Sequence, residues 1–428
     1  MKNQNQDLVI IGGGIMGLFT AYFALQFSKK IVLLEKREIG NKFCASSGYS
    51  RSIRNDYLDP FYSVMASESQ KMWVDLEAKS KKKFIIKCGC LNIAKKQVTP
   101  KLELTYAYKS YKILNSLGHN ARYYKNSKKL KEKFLQFGAD IACLDIDAGF
   151  LYIPAILDFL KRTLISKGVK ILENSEVTKV KRKGKEILVE FNKKTIRTNN
   201  VALAVGVWSI EMLKKVEGAF WLKLPIIPIE QQLDYFEVPP YLKNKYSSEN
   251  MPVFAYLDAG IYGHPLYGQS PGLKVAYFDP MGAKLVKSVF DPQKQDIIKN
   301  NFDFIKNCLP DLKKIKLMES EFNYYDMTPD NDFIVDELPG INNIFIAGGF
   351  CGTGFKFAPL IGKAMAEKIF RKNNTIYNLD RFSAGRFGKI SDLSFLKTIP
   401  MYKNFIMPKN WKYLKKGIEA LLTLKKLP

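Results

Sequence analysis

Two glycine-rich turns, far apart in the chain, carry the clearest chemical signal. The first is Gly12-Gly13-Gly14-Ile15-Met16-Gly17. It follows an apolar, β-branched run from Asp7 to Ile11 and precedes a helical stretch from Leu18 to about Phe27. A second apolar run, Ile31 to Leu34, ends in Glu35. Strand, G-x-G-x-x-G, helix, strand and acid in that order make a dinucleotide site. Gly12 supplies the tight turn, Gly14 lets the backbone approach a pyrophosphate, and Gly17 lets helix and strand pack closely. The helix N-terminus offers free N–H groups and a positive dipole end to the phosphates. Glu35 stands 21 positions after Gly14. A carboxylate there accepts hydrogen bonds from a ribose 2′-OH and repels a 2′-phosphate, which disfavours NADP. The plain alternative is a glycine turn that serves packing alone.

That motif does not separate FAD from NAD; the far end of the chain does. Asn343 to Ala347 reads as a buried strand running into Gly348-Gly349-Phe350-Cys351-Gly352-Thr353-Gly354, ahead of a helical stretch from about Leu360 to Phe370. A second glycine turn leading to a helix N-terminus puts another positive dipole end in the same site. There it stabilises negative charge on the N1–C2=O edge of a reduced flavin. A nicotinamide has no need of it.

With these turns in place, the sequence resembles the FAD-dependent amino-acid and amine oxidases typified by monomeric sarcosine oxidase, with N-methyltryptophan and pipecolate oxidases as relatives. The resemblance runs to about residue 385 and rests on five blocks in order. They are the first glycine motif ending at Glu35; Ala45 to Arg54 (ASSGYSRSIR); Ile261-Tyr262-Gly263-His264-Pro265; Gly272-Leu273-Lys274; and Met327-Thr328-Pro329-Asp330 through Gly354-Phe355-Lys356-Phe357.

The resemblance implies roles for single residues. Arg54 and Lys356 would pair with a substrate carboxylate, as a guanidinium and an ammonium can in a desolvated pocket. Taken alone, a lysine in so basic a chain would be a solvated surface residue; the motif around Lys356 reverses that. Arg51 would lie against the flavin ring, unless it serves only as a salt-bridge partner. Tyr262 would close the substrate pocket, the alternative being a strand tyrosine packed in a sheet. Lys274 matches the lysine that activates oxygen, where a fixed positive charge stabilises superoxide. Cofactor contacts would come from Ile11, Gly12, Gly14, Ile15, Met16, Gly17, Glu35, Lys36, Ser46, Ser47, Arg51, Val177, Gly206, Trp208, Gly349, Gly352, Gly354, Phe355 and Lys356. Two departures stand out. The family's flavin-attaching cysteine is Asn323 here, which cannot form a thioether, so FAD is expected to be noncovalent, with a lower potential. Cys351, nearby in sequence, does not match the attachment position. The family histidine four residues after the oxygen lysine is Phe278, which leaves the substrate preference open.

The implied reaction removes a hydride from the C–N bond of a small secondary or N-methyl amino acid; the imine hydrolyses and O2 becomes H2O2. Two other readings use other features. A dehydrogenase would hand electrons to a membrane quinone, and a tRNA-base oxidase would use the chain's charge.

The elements that must position these residues follow. The expected fold class is α/β. A doubly wound FAD-binding domain from 1–86, 148–224 and 322–385 would be interleaved with an α+β substrate domain carrying a mixed sheet, from 87–147 and 225–321. Ile171 to Val180 and Ile187 to Phe191 read as a strand pair, and Val201 to Val205 as a buried strand before Gly206. Pro225, Pro228, Pro239 and Pro240 mark the crossing into the second domain.

Composition sets the outer limits. With 428 residues, 46% of them hydrophobic, the chain can bury more than one domain's core. Lys+Arg 67 against Asp+Glu 41 gives a net charge of +26. The lysines are scattered, without the arginine–aromatic interleaving of nucleic-acid recognition, so nucleic acid is not the expected partner. With His119 and His264 as the only histidines, and cysteines at 44, 88, 90, 143, 308 and 351, neither a zinc site nor a disulfide framework is expected. Free thiols fit a reducing cytoplasm. The apolar stretch Leu8 to Leu25 is broken by three glycines and lacks a basic leader, so it is neither signal peptide nor membrane span. Residues 386–428 form a basic extension. It is expected either to pack as a helix on the body or to touch a membrane surface. The protein is expected to be a monomer whose partners are a small amino acid and O2.

Overall fold

In the strand Gln6–Ile11, alternate side chains enter different cores: Leu8 and Ile10 one, Val9 and Ile11 another. Burial on both faces is the signature of a central parallel strand, and it explains the continuous apolar run. The computed structural model describes residues 5–219, 222, 224–278, 298–312, 314–371 and 379–387. Within it, Gln6–Ile11 pairs in parallel with Ile31–Leu34 on one side and Lys194–Leu203 on the other. Lys170–Leu172 and Ile344–Gly348 extend the parallel array at its two ends.

Three helices, Ile15–Ala24, Ile153–Ser166 and Ala358–Ile369, pack on the first face. The hairpin Val177–Lys183/Glu186–Phe191 and the short helix Ser209–Lys214 cover the second. At Gly17, an added Cβ would lie 2.0 Å from the Gly12 carbonyl oxygen, so helix and turn touch backbone to backbone. The stretch read as one strand from Ile171 to Val180 is divided. Lys170–Leu172 joins the parallel sheet, and Val177–Lys183 opens the hairpin with Glu186–Phe191. The break contains Asn174 at φ 53°, a left-handed turn that asparagine tolerates.

A second eight-stranded sheet has the order Leu317–Met327, Ile227–Phe236, Leu273–Tyr277, Ile261–His264, Val253–Tyr256, Cys90–Ala94, Ile141–Asp145, Ala121–Tyr124. It is mixed, because Val253–Tyr256 and Cys90–Ala94 pair in parallel while the other neighbours are antiparallel. Helices Tyr106–Ser116 and Ile298–Cys308 fill its core with Ala107, Leu114, Phe304 and Ile305. Leu317–Met327 runs across the 321/322 position, paired along its length with Ile227–Phe236. A small third sheet joins Ser50–Ile53, Gly149–Tyr152 and Ile85–Ile86. No helix among the described residues is long and apolar enough to cross a membrane. Almost all of the basic extension, 388–428, lies outside the described residues.

Candidate active site

A cleft opens at the carboxyl ends of the parallel strands, where Ile11, Leu34, Ala204 and Ala347 reach its wall. Open parallel sheets place ligands there. Gly12 sits at φ 109°, and a Cβ on it would lie 2.3 Å from the Ala204 carbonyl oxygen. At Gly14 the nearest atom to such a Cβ is Ser46 Oγ at 3.4 Å. The turn is therefore closed against the sheet, while Gly12 and Gly14 both line the cleft. The Ile15 N–H at the helix start donates to Ser46 Oγ (3.0 Å). Glu35 is held by two backbone donors, Gly13 N–H (2.7 Å) and Arg37 N–H (2.9 Å), which fix its carboxylate at the cleft.

Of the cofactor contacts expected from sequence, Ile11, Gly12, Gly14, Ile15, Met16, Glu35, Lys36, Ser46, Arg51, Val177, Gly206, Trp208, Gly352, Gly354 and Phe355 line this cleft. Four others do not line it, and neither do Arg54, Tyr262 and Lys274. Gly17 packs the helix on the turn. The Ser47 carbonyl accepts from Arg51 Nη2 (2.8 Å). Gly349 N–H donates to Asp326 Oδ2 (2.8 Å). Lys356 is buried within the segment Gly354–Phe357 that closes the second glycine turn. The wall also carries Cys44, Tyr324, Tyr325 and Asp326, none of which the sequence singled out for it. Burial pushes the Asp326 carboxyl up to about 6, against the Phe350 and Gly349 N–H groups that favour its charged form. Asp326 anchors a turn 23 residues downstream, a contact no local motif displays.

These features fit an FAD. A carboxylate and a glycine turn at a helix start suit the adenosine and pyrophosphate. Arg51, Tyr325 and the Gly352–Phe355 turn suit the ring.

Arg54 and Lys356 do come together. Both face the Tyr57 ring, the guanidinium carbon at 4.7 Å and Nζ at 5.7 Å from its centroid. The Lys356 backbone is fixed by Ser69 Oγ (2.6 Å) and Trp73 Nε1 (2.8 Å), both donating to its carbonyl. Its Nζ donates to the Thr353 carbonyl (3.1 Å). Burial, and then the Arg54 charge, push Lys356 down to about 7, with Asp56 opposing. A carboxylate absent from the sequence reading intervenes: Arg54 Nη1 donates to Asp56 Oδ1 (2.6 Å) and to the Asp56 carbonyl (2.7 Å). Burial works against the Arg54 charge, but Asp56, Tyr106 and Tyr57 outweigh it and keep the guanidinium protonated.

A second group surrounds Lys274. Its Nζ and Arg51 Nη1 both donate to the Ser50 carbonyl, at 3.1 and 3.0 Å. Burial, and then Arg51, push Lys274 down to about 7, against the pull of Glu321. Tyr262 shares a hydrogen bond with Tyr325 through their hydroxyls (3.2 Å), and Lys274 Nζ lies 5.8 Å from its ring centroid. Arg51 Nη2 also donates to Ala45 O, Ser47 O and Asn323 Oδ1. Asn323, at the family's attachment position, is thus a partner of Arg51. Cys351 is buried against Thr328, and burial pushes its thiol up to about 12. His264, quoted in a sequence block without a role, is buried between Ser50 and Ser52.

Comparisons with known proteins agree with this geometry. The profile of the family described as FAD dependent oxidoreductase (DAO) matches residues 7–368. A peroxisomal sarcosine oxidase of Mus musculus is 30% identical over 401 residues, covering 90% of this chain and 97% of the relative. A monomeric sarcosine oxidase of Bacillus sp. (strain NS-129) is 24% identical, covering 89% and 96%. The crystal structure of L-proline dehydrogenase from P. horikoshii matches with a TM-score of 0.75 at 21% identity, over 90% of this chain and 98% of that one. Cleft, residues and relatives converge: the chain belongs to the DAO family of FAD-dependent oxidoreductases.

Proposed function

We propose that this enzyme oxidises the C–N bond of a small secondary or N-methyl amino acid to an imine, with O2 reduced to H2O2. The observation that carries the reading is Lys356. It is a buried lysine whose Nζ hydrogen-bonds only a backbone carbonyl among the described residues, beside Arg54 on the same ring. A buried ammonium without a counter-ion is costly, and an anionic ligand relieves that cost.

FAD, when bound, accepts the hydride from the α-carbon and passes the electrons to oxygen. The chain's own residues do the rest. Lys356 and the free edge of Arg54 grip the carboxylate and so aim the α-carbon. Tyr262, tied to Tyr325, closes the pocket. The two cations favour the neutral amine, the form that can give up a hydride. Lys274, fixed on the Ser50 carbonyl, supplies positive charge where oxygen is reduced. Arg51 holds the wall against the ring and keeps Asn323 in place of an attachment cysteine, so the cofactor is held without a covalent bond.

The test is H2O2 release by purified protein with sarcosine, N-methyltryptophan, pipecolate, proline, glycine and D-amino acids, run beside a dye acceptor. Peroxide with a secondary or N-methyl amino acid supports the reading. Dye reduction without peroxide replaces it with a dehydrogenase, and no turnover of any amino acid removes it.

A further inference from the structure

The His264 imidazole is held from both sides. Its Nδ1 lies 2.7 Å from Ser50 Oγ and its Nε2 2.8 Å from Ser52 Oγ. The ring is 1% exposed and stacks on Phe150 at 5.5 Å. Phe150 is the register partner of Ser52 in the small sheet, so three strands from separate parts of the chain meet at one ring. A neutral imidazole has one donor and one acceptor, and a hydroxyl can serve as either. Both nitrogens are therefore satisfied without a charge. Burial, and then the Lys274 and Arg51 charges, hold His264 well below its ordinary range.

The placement matters because of what else these residues touch. Ser50 and Ser52 share one face of their strand, since side chains alternate. Arg51, between them, belongs to the other face and lines the cleft. His264 is also the register partner of Lys274 in the mixed sheet. Ser50 thus binds His264 through its hydroxyl, and Lys274 and Arg51 through its carbonyl.

We infer that His264 is a positioning residue for Lys274 and Arg51: by clasping Ser50 and Ser52, it fixes the strand that sets where these two cations stand, Arg51 in the wall of the cleft and Lys274 on the same Ser50 carbonyl. The inference rests on the cleft holding FAD with Lys274 serving oxygen; it does not need the amine substrate. A histidine that merely fills the core would share the neutral ring but leave the reoxidation of the reduced flavin by O2 unchanged.

The chain has two histidines, so ¹⁵N-histidine labelling gives two ring systems, and His119→Gln leaves one. In the apoprotein, His264 should stay neutral and in one tautomer between about pH 5 and 8, where free imidazole titrates. Ser52→Ala should shift its nitrogen signals. Rapid mixing with O2 of holoprotein reduced by dithionite then reads the consequence. His264→Leu should slow reoxidation on the order of tenfold, read at FAD concentrations that keep the variant saturated. His264→Gln, whose amide can reach both hydroxyls, should restore most of the rate. If His264→Leu does not fold, Ser52→Ala decides, with a severalfold slowing expected. A ring that titrates or exchanges tautomers, or normal reoxidation in a folded variant, overturns the inference. Dithionite bypasses the amine, so failure of the substrate reading leaves this test intact. A protein that binds no flavin defeats the proposed function, while the apoprotein spectra still judge the clasp.

Discussion

Arg54 and Asp56 form a buried ion pair across two residues of chain, with 2.6 Å between Nη1 and Oδ1 and 1% exposure of the Asp56 side chain. The other carboxylate oxygen, Oδ2, has no partner among the described residues. With Lys356 protonated, Arg54, Asp56 and Lys356 together carry one net positive charge, so one bound carboxylate makes the group neutral. Asp56 also competes with that carboxylate for Arg54. Asp56→Asn is therefore expected to tighten binding of a simple carboxylate such as acetate by about five- to tenfold, the worth of one net hydrogen bond at about 1–1.5 kcal/mol. The apoprotein should melt lower, because Arg54 is left buried without its counter-ion. Perturbation of the flavin spectrum on titration measures the first effect. Weaker binding would mean that Asp56 orients Arg54 for the substrate rather than competing with it.

Stability should depend on pH through two lysines. Lys274 and Lys356 are both pushed from 10.5 down to about 7 by burial. Between those values the unfolded chain binds more protons than the folded one, so stability rises with pH from about 7 toward 10. Each lysine contributes on the order of 1 kcal/mol per pH unit. Melting of the apoprotein across this range should show the rise, and Lys274→Met should reduce its slope. A slope unaffected by the substitution would show that Lys274 remains charged in the fold.

Lys274→Met should slow flavin reoxidation by O2 while leaving anaerobic reduction by substrate nearly intact. Stopped-flow measurement of the two half-reactions separates them. The opposite pattern would move Lys274 to the substrate side.

The structure shows why some of this was legible in the sequence. The first glycine turn could be read because every part of it is local: strand, turn, helix and acid lie within 30 residues, and each glycine answers a nearby backbone contact. The parallel strands were legible as apolar runs because both their faces are buried. The 171–180 segment was misjudged because Asn174 breaks a stretch whose apolar ends look continuous. Asp326, Asp56 and His264 were given no role for another reason. Their partners are Gly349, a neighbour two residues away and a pair of ordinary serines, and none makes a motif. Distance in sequence hides the contacts that tune the cations.

Asn323 accepts from Arg51 at 3.2 Å and offers no sulfur, while the Cys351 thiol is buried and held above its ordinary range. Denaturing the yellow protein in acid should release all of its flavin as free FAD. Flavin that stays with the precipitated chain would reveal a covalent link.

The most direct test is anaerobic reduction of the bound flavin by sarcosine, compared with dimethylamine, which has the same C–N bond and no carboxylate. Sarcosine should bleach the flavin band and dimethylamine should not. In Lys356→Ala, the sarcosine concentration needed should rise by the equivalent of about 2–3 kcal/mol. Equal reduction by both amines, or an unchanged sarcosine requirement in Lys356→Ala, would contradict the carboxylate grip on which the account depends.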